Sequence, residues 1–206
     1  MSVTLDDILN QPVNGFLDRL AERSPTPGGG SVAALAGSLG CAMARMVLAY
    51  TKGASPAVTK ATERLARADQ LLRRLVTEDM AAYQTLSDAN KAMKNNPADS
   101  AARQGALITA TMVPAEMAAV ATEALAAMDE SKEQAGKYLV SDLGVAACLA
   151  RACVESARFS VRVNLPEIDD AEVAGEFLAQ LAELSTRADA LSAGICDWVN
   201  ARLQPS

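Results

Sequence analysis

The chain contains no histidine. That absence excludes Ser-His-Asp and Cys-His nucleophile systems and every imidazole-based metal site, so proton transfer falls to Asp, Glu, Lys, Tyr, Cys or water. Aromatic residues amount to only 3% although half the chain is hydrophobic, which leaves alanine-rich segments whose backbones can approach closely. The four cysteines, Cys41, Cys148, Cys153 and Cys196, form no C-x-x-C pair. They read as small buried hydrophobes rather than a disulfide framework or zinc site, and no metal is expected. A basic excess is also missing. The net charge is −6, whereas a nucleic-acid partner requires a basic face, so any anionic ligand must be held by local cations. No apolar run approaches the roughly 18 uninterrupted residues of a membrane span, and "MSVTLDDILN" lacks the basic and apolar regions of a signal peptide. The expected location is the cytoplasm, without membrane association.

Helical patterning is abundant. With 206 residues the chain is long enough for one domain with a real core, taken as 1–206. A short helix is predicted from Val13 to Arg23, stopped by Pro25 and Pro27, and a second from a Ser31 cap to about Tyr50. In the second, Ala36, Gly40 and Ala44 form one small-residue row beside Gly37 and Cys41. After Pro56, Leu65, Ala68, Leu72, Leu75, Asp79, Tyr83 and Leu86 recur at helical spacing. Asp79 thus falls on an apolar stripe, where a carboxylate must be paired or face a cavity. A break near Asn95 to Asp99 precedes a helix running to about Met128, which Pro114 should kink. A polar linker, a small-residue helix capped by Ser141 and ended by Pro166, and a last helix from about Asp169 to Leu203 complete the chain. No strand pattern or repeat is present, so the expected architecture is an all-α bundle of long antiparallel helices.

Two stretches carry chemistry. In "SPTPGGGS", Ser24 to Ser31, three consecutive glycines precede a helix, where backbone N–H groups and the helix amino end can receive an anion. The glycines serve equally to let the loop pass close to a neighbouring helix. The loop is neither a Walker phosphate loop nor a dinucleotide fingerprint, since no Lys follows and no strand precedes it. Asp142, just after Ser141, is explained by the helix dipole alone or by a functional role beside Gly144, Ala146 and Ala147.

In order and spacing, "TPGGGSVAALAGSLG" with "ARMV", the Asp79–Tyr83 pair, Pro114, and "SDLGVA" with "VRVN" resemble the formiminotransferase-cyclodeaminase C-terminal family, over about Val13 to Arg202. The resemblance implies an α-helical homodimer that binds a folate, with the glycine loop, the Asp142 region and Asn164 bordering the site. The implied reaction is hydrolysis of 5,10-methenyltetrahydrofolate to 10-formyltetrahydrofolate, with formiminotetrahydrofolate cyclodeamination as the alternative. A third possibility is a protein that only binds a folate or a partner helix. No tightly bound cofactor is implied, the tetrahydrofolate derivative being substrate. Asp142 is the expected catalytic carboxylate, with Asp79 as the alternative or as the pterin-binding carboxylate. Gly28, Gly29, Gly30 and Ser31 are expected to bind substrate, and Lys52 and Arg45 to hold its anionic tail. Two departures from the family pattern touch the presumed site: Lys52 precedes Gly53, with Ala-Ser-Pro instead of lysines directly after it, and Gly136 and Tyr138 stand where asparagines are expected.

Overall fold

The computed structural model describes residues 8–51 and 55–203. Its main elements are the helices α1 (Val13–Ala21), α2 (Gly29–Ala49), α3 (Pro56–Asn95), α4 (Ser100–Ser131), α5 (Val140–Asn164) and α6 (Ala171–Leu203), and the described residues contain no strand. The all-α bundle is therefore what forms. Helices α2, α3, α4 and α5 make a closed ring in which each packs on the next, and α6 lies against α4 and α5.

Local signals explain the boundaries. At the start of α3 the Ser55 hydroxyl accepts the Val58 N–H at 3.2 Å, with Pro56 in the first turn. Two expected caps are not caps. Helix α2 begins with Gly28 as its cap, which makes Ser31 the third helical residue, and α5 begins at Val140 with Leu139 as its cap. Ser31 is buried and its hydroxyl turns outward from its own helix to α3, while Ser141 is exposed in the first turn. Helix α4 continues through Pro114.

Small side chains set the packing distance. A Cβ built on Gly40 lies 2.8 Å from the Ala146 carbonyl oxygen and 3.1 Å from the Ala150 nitrogen, so α2 meets α5 backbone to backbone. Gly37 likewise faces Cys153, and the descending pairing shows that the two helices run antiparallel. On its other side α2 contacts α3 through a buried polar cluster. The Asp69 carboxylate accepts from Ser38 Oγ at 2.5 Å, Arg73 Nε at 2.8 Å and Arg45 Nη1 at 3.2 Å. Cys41 and Cys153 are buried as expected, and burial pushes both thiols up to about 12. Cys148 is exposed instead.

By length and composition two helices, Gly29–Ala49 and the stretch 97–134, are apolar enough to cross a bilayer, which a count of uninterrupted apolar runs does not register. About half of each apolar window, 50% and 56%, is buried inside the bundle. Their hydrophobicity is that of core helices.

The Gly40 contact generates a paired test. Gly40→Ala should destabilise the fold by about 1–3 kcal/mol in urea denaturation, because the opposing atoms are backbone and cannot rotate away. Gly105→Ala, at an exposed α4 position with nothing within 4 Å of the new Cβ, should instead stabilise by up to about 1 kcal/mol.

Candidate active site

The loop before α2, inner stretches of α3 and α4 and the carboxyl end of α5 line a cavity of about 250 Å³. Pro25, Thr26 and Gly28 to Gly30 form one wall, Asp79, Tyr83 and Leu86 of α3 the second, and Ala110 of α4 with Ser160, Val163 and Asn164 of α5 the remainder. The Thr26–Pro27 peptide bond in this loop is cis.

The three glycines act through their missing side chains. None of them has left-handed backbone, and Gly28 is extended at φ −122°. A Cβ on Gly30 would stand 2.0 Å from Asp79 Oδ1 and 2.5 Å from its Cγ, so only glycine lets the carboxylate lie against the start of α2. Gly29 is exposed and a Cβ there meets nothing within 4 Å. It keeps the cavity open.

Asp79 is held by Ser31, whose hydroxyl lies 3.0 Å from Asp79 Oδ2 and 3.2 Å from the Val76 carbonyl. Burial raises the Asp79 pKa above its ordinary value, and the Ser31 hydroxyl and backbone N–H counter part of the rise. No arginine or lysine is paired with it among the described residues. A carboxylate placed this way can accept a proton or face a cationic ligand.

Pro114 shapes the opposite wall. Lacking an N–H, it leaves the carbonyl four residues earlier, that of Ala110, without its helical donor. Asn164 Nδ2 donates to this oxygen across 3.4 Å. The proline thereby fixes the Asn164 amide at the cavity edge, a role that neither residue announces alone.

The family model for formiminotransferase-cyclodeaminase matches residues 12–183. The chain belongs to this family. It is 34% identical to the methenyltetrahydrofolate cyclohydrolase of Methylorubrum extorquens, an alignment covering 94% of this chain and 98% of that protein. It is 32% identical to the formimidoyltransferase-cyclodeaminase of Mus musculus, with 79% of this chain aligned but only 32% of the relative. The chain thus spans about a third of that longer protein. In structure it matches the formiminotetrahydrofolate cyclodeaminase of Thermotoga maritima with a TM-score of 0.87 and 27% identity, over 96% of this chain and all of the other.

On this family fold the expected site residues separate. Gly28, Gly29, Gly30, Asp79 and Asn164 line one cavity, and Ser31 supports Asp79 from behind. Asp142 does not line it. It occupies the first turn of α5 and Asn164 the last, about 33 Å apart at 1.5 Å per residue. Arg45 is also elsewhere, since it faces α3 with Nη1 on Asp69 and Nε buried without a partner. It is committed to the α2–α3 contact and leaves no guanidinium at the cavity. Lys52 and Gly53 lie outside the described residues. Gly136 and the exposed Tyr138 precede α5, at the Asp142 end, where the Thr51 hydroxyl donates to the Gln134 carbonyl at 2.8 Å. Ser160 lines the cavity with no signal in the sequence, whereas the loss of a helical donor at Pro114 could have pointed to Ala110.

The Asp79 environment yields a pH-dependent prediction. The folded chain keeps the Asp79 proton to higher pH than the unfolded chain, so stability falls as pH rises from the ordinary carboxylate value through the raised one. Asp79→Asn removes this effect. Thermal melts should therefore give matching midpoints for variant and wild type at acid pH, and a higher midpoint for the variant at pH 7.5. A variant that melts lower at pH 7.5 would show the ionised carboxylate to be stabilising instead.

Proposed function

We propose that the chain is a methenyltetrahydrofolate cyclohydrolase and that it works as a two-fold homodimer. The observation that carries the reaction is a half-buried carboxylate, Asp79, facing a cavity without a neighbouring cation among the described residues. The substrate's C–H carbon between N5 and N10 is cationic, so it is attracted to the carboxylate and draws the Asp79 pKa down again on binding. Water adds to that carbon while a carboxylate takes one of its protons. The carbinolamine then opens by cleavage of the carbon–N5 bond, N5 receives a proton and the hydroxyl loses one, giving 10-formyltetrahydrofolate and one net proton. Full-length alignment with the Methylorubrum cyclohydrolase supports this reaction over the alternative. The Thermotoga fold match favours the second reading, cyclodeamination at the same carboxylate with loss of ammonia.

Dimerisation is supported by an apolar surface that the bundle leaves open. On α2 and its C-cap, Val32, Leu39 and Tyr50 are exposed, and on α5, Val145, Cys148, Phe159 and Val163. The α5 members recur at spacings of three, eleven and four, one face of a helix. The Arg158 guanidinium, paired with Glu155, lies over the Phe159 ring at the edge of that face, and Val163 also borders the cavity. Antiparallel pairing of two α5 helices about a two-fold axis near their middle brings the partner's Asp142 toward Asn164 of the first chain. Such pairing unites the two carboxylates that one chain holds apart. In this reading Asp142 is a catalytic carboxylate supplied across the interface, and the soluble dimer needs neither membrane nor nucleic acid.

Two measurements test the proposal. Purified protein should remove the absorbance of methenyltetrahydrofolate, whereas release of ammonia from the formimino substrate with no such loss would select the cyclodeaminase, and inactivity on both would leave a binding protein. Asp79→Asn and Asp142→Asn should each lower turnover about 10²-fold or more with folding intact. Mixing the two inactive variants under subunit exchange should restore up to about a quarter of wild-type activity, because random hybrids regain one complete site of two. No recovery in demonstrated hybrids would place both carboxylates' roles within single chains.

A further inference from the structure

The first cavity adjoins a second, also of about 250 Å³, which shares Tyr83 and Leu86 with it and adds Ser87, Asn90, Lys91 and Lys94. All of these lie on α3. Asp79, Tyr83, Leu86, Ser87, Asn90 and Lys94 recur at spacings of three and four, so they form one stripe along the helix. From Asp79 to Lys94 the stripe covers about 22 Å. Its chemistry changes in order along that length: a half-buried carboxylate, a half-exposed aromatic ring, then amide and ammonium groups.

The basic end is available for a ligand. Lys94 is exposed and makes no hydrogen bond or ion pair among the described residues. Lys91 Nζ is 2.9 Å from Asp88 Oδ1 at the rim. Asn90 Oδ1 accepts from Arg103 Nε at 2.8 Å, and Arg103, itself anchored to Glu167, fixes the amide and leaves Nδ2 as a free donor. A cavity of 250 Å³ is below the usual 300–1,000 Å³ of a small-molecule site, so a ligand of pterin, aminobenzoyl and glutamate parts needs the adjoining space.

We propose that this second cavity binds the carboxylates of the substrate's acidic tail, with Lys94 as the principal cation, Asn90 Nδ2 as the orienting donor and Tyr83 beneath the aminobenzoyl ring. The proposal rests on the folate reading and assigns the tail to α3 instead of Arg45, which Asp69 holds. The order of the stripe matches the ligand from its cationic ring to its dicarboxylate end. No other alignment of the two keeps opposite charges together at both ends.

Calorimetric titration with tetrahydrofolate and with tetrahydropteroate, which lacks the glutamate, separates the outcomes. Wild type should bind the tailed ligand more tightly. Lys94→Gln should weaken tetrahydrofolate binding by about 3- to 5-fold at low salt, as for an exposed ion pair, and leave tetrahydropteroate unchanged. The loss should shrink in high salt. Lys60→Gln, at an exposed α3 position away from both cavities, should change neither. An unchanged tail preference in both Lys94→Gln and the Lys91→Gln/Lys94→Gln double variant would overturn the subsite while leaving the folate reading intact. Wild type that binds neither ligand would overturn both.

Discussion

The backbone contact between α2 and α5 at Gly40 is the constraint on which the remaining arrangement depends. With no Cβ to separate them, the Ala146 carbonyl and Ala150 nitrogen come within contact distance of α2. Because the two helices run antiparallel, the same contact fixes where the glycine loop at the amino end of α2 meets the carboxyl end of α5. Alanine and glycine permit this approach while losing little side-chain entropy on folding. Larger residues at these positions would move the loop away from Asn164 and open the cavity.

Helix α3 carries a buried carboxylate, Asp69, and a half-buried one, Asp79, whose surroundings assign them different work. Asp69 is surrounded by Ser38, Arg45 and Arg73, all three of which donate to it. Its charge is compensated within the fold, and it joins α2 to α3. Asp79, ten residues on, has only Ser31 as partner among the described residues and faces open space. A buried charge without a counter-ion is unfavourable in the free protein and becomes favourable when a cation arrives. Stability and ligand binding thus use the same residue type under opposite conditions.

The interior polar contacts near the cavity follow from backbone groups left over by helix geometry. Pro114 frees the Ala110 carbonyl, and Asn164 fills the vacancy from α5. Ser31, one turn into α2, does not cap its own helix but reaches Val76 and Asp79 on α3. Each contact ties a separate helix to the cavity wall, so the site is fixed by the ring as a whole and not by the loop alone.

The sequence by itself determined the helices, their apolar stripes and the family, because helical periodicity, prolines and glycines act over a few residues. It also marked Asp79 as a carboxylate on an apolar face, since a period of 3.6 places it with Leu72 and Leu75. What each group faces was a tertiary matter. Asp142 and Asn164 look adjacent as parts of one motif set, yet a straight helix of 25 residues holds them at opposite ends. Arg45 follows the glycine loop closely in sequence, but its side chain points to α3, where Asp69 claims it. Asp69 itself lay on the same stripe and could have been noticed, although its three partners come from two helices. Local spacing encodes which side of a helix a residue occupies, whereas only the packing of one helix on another decides what stands opposite.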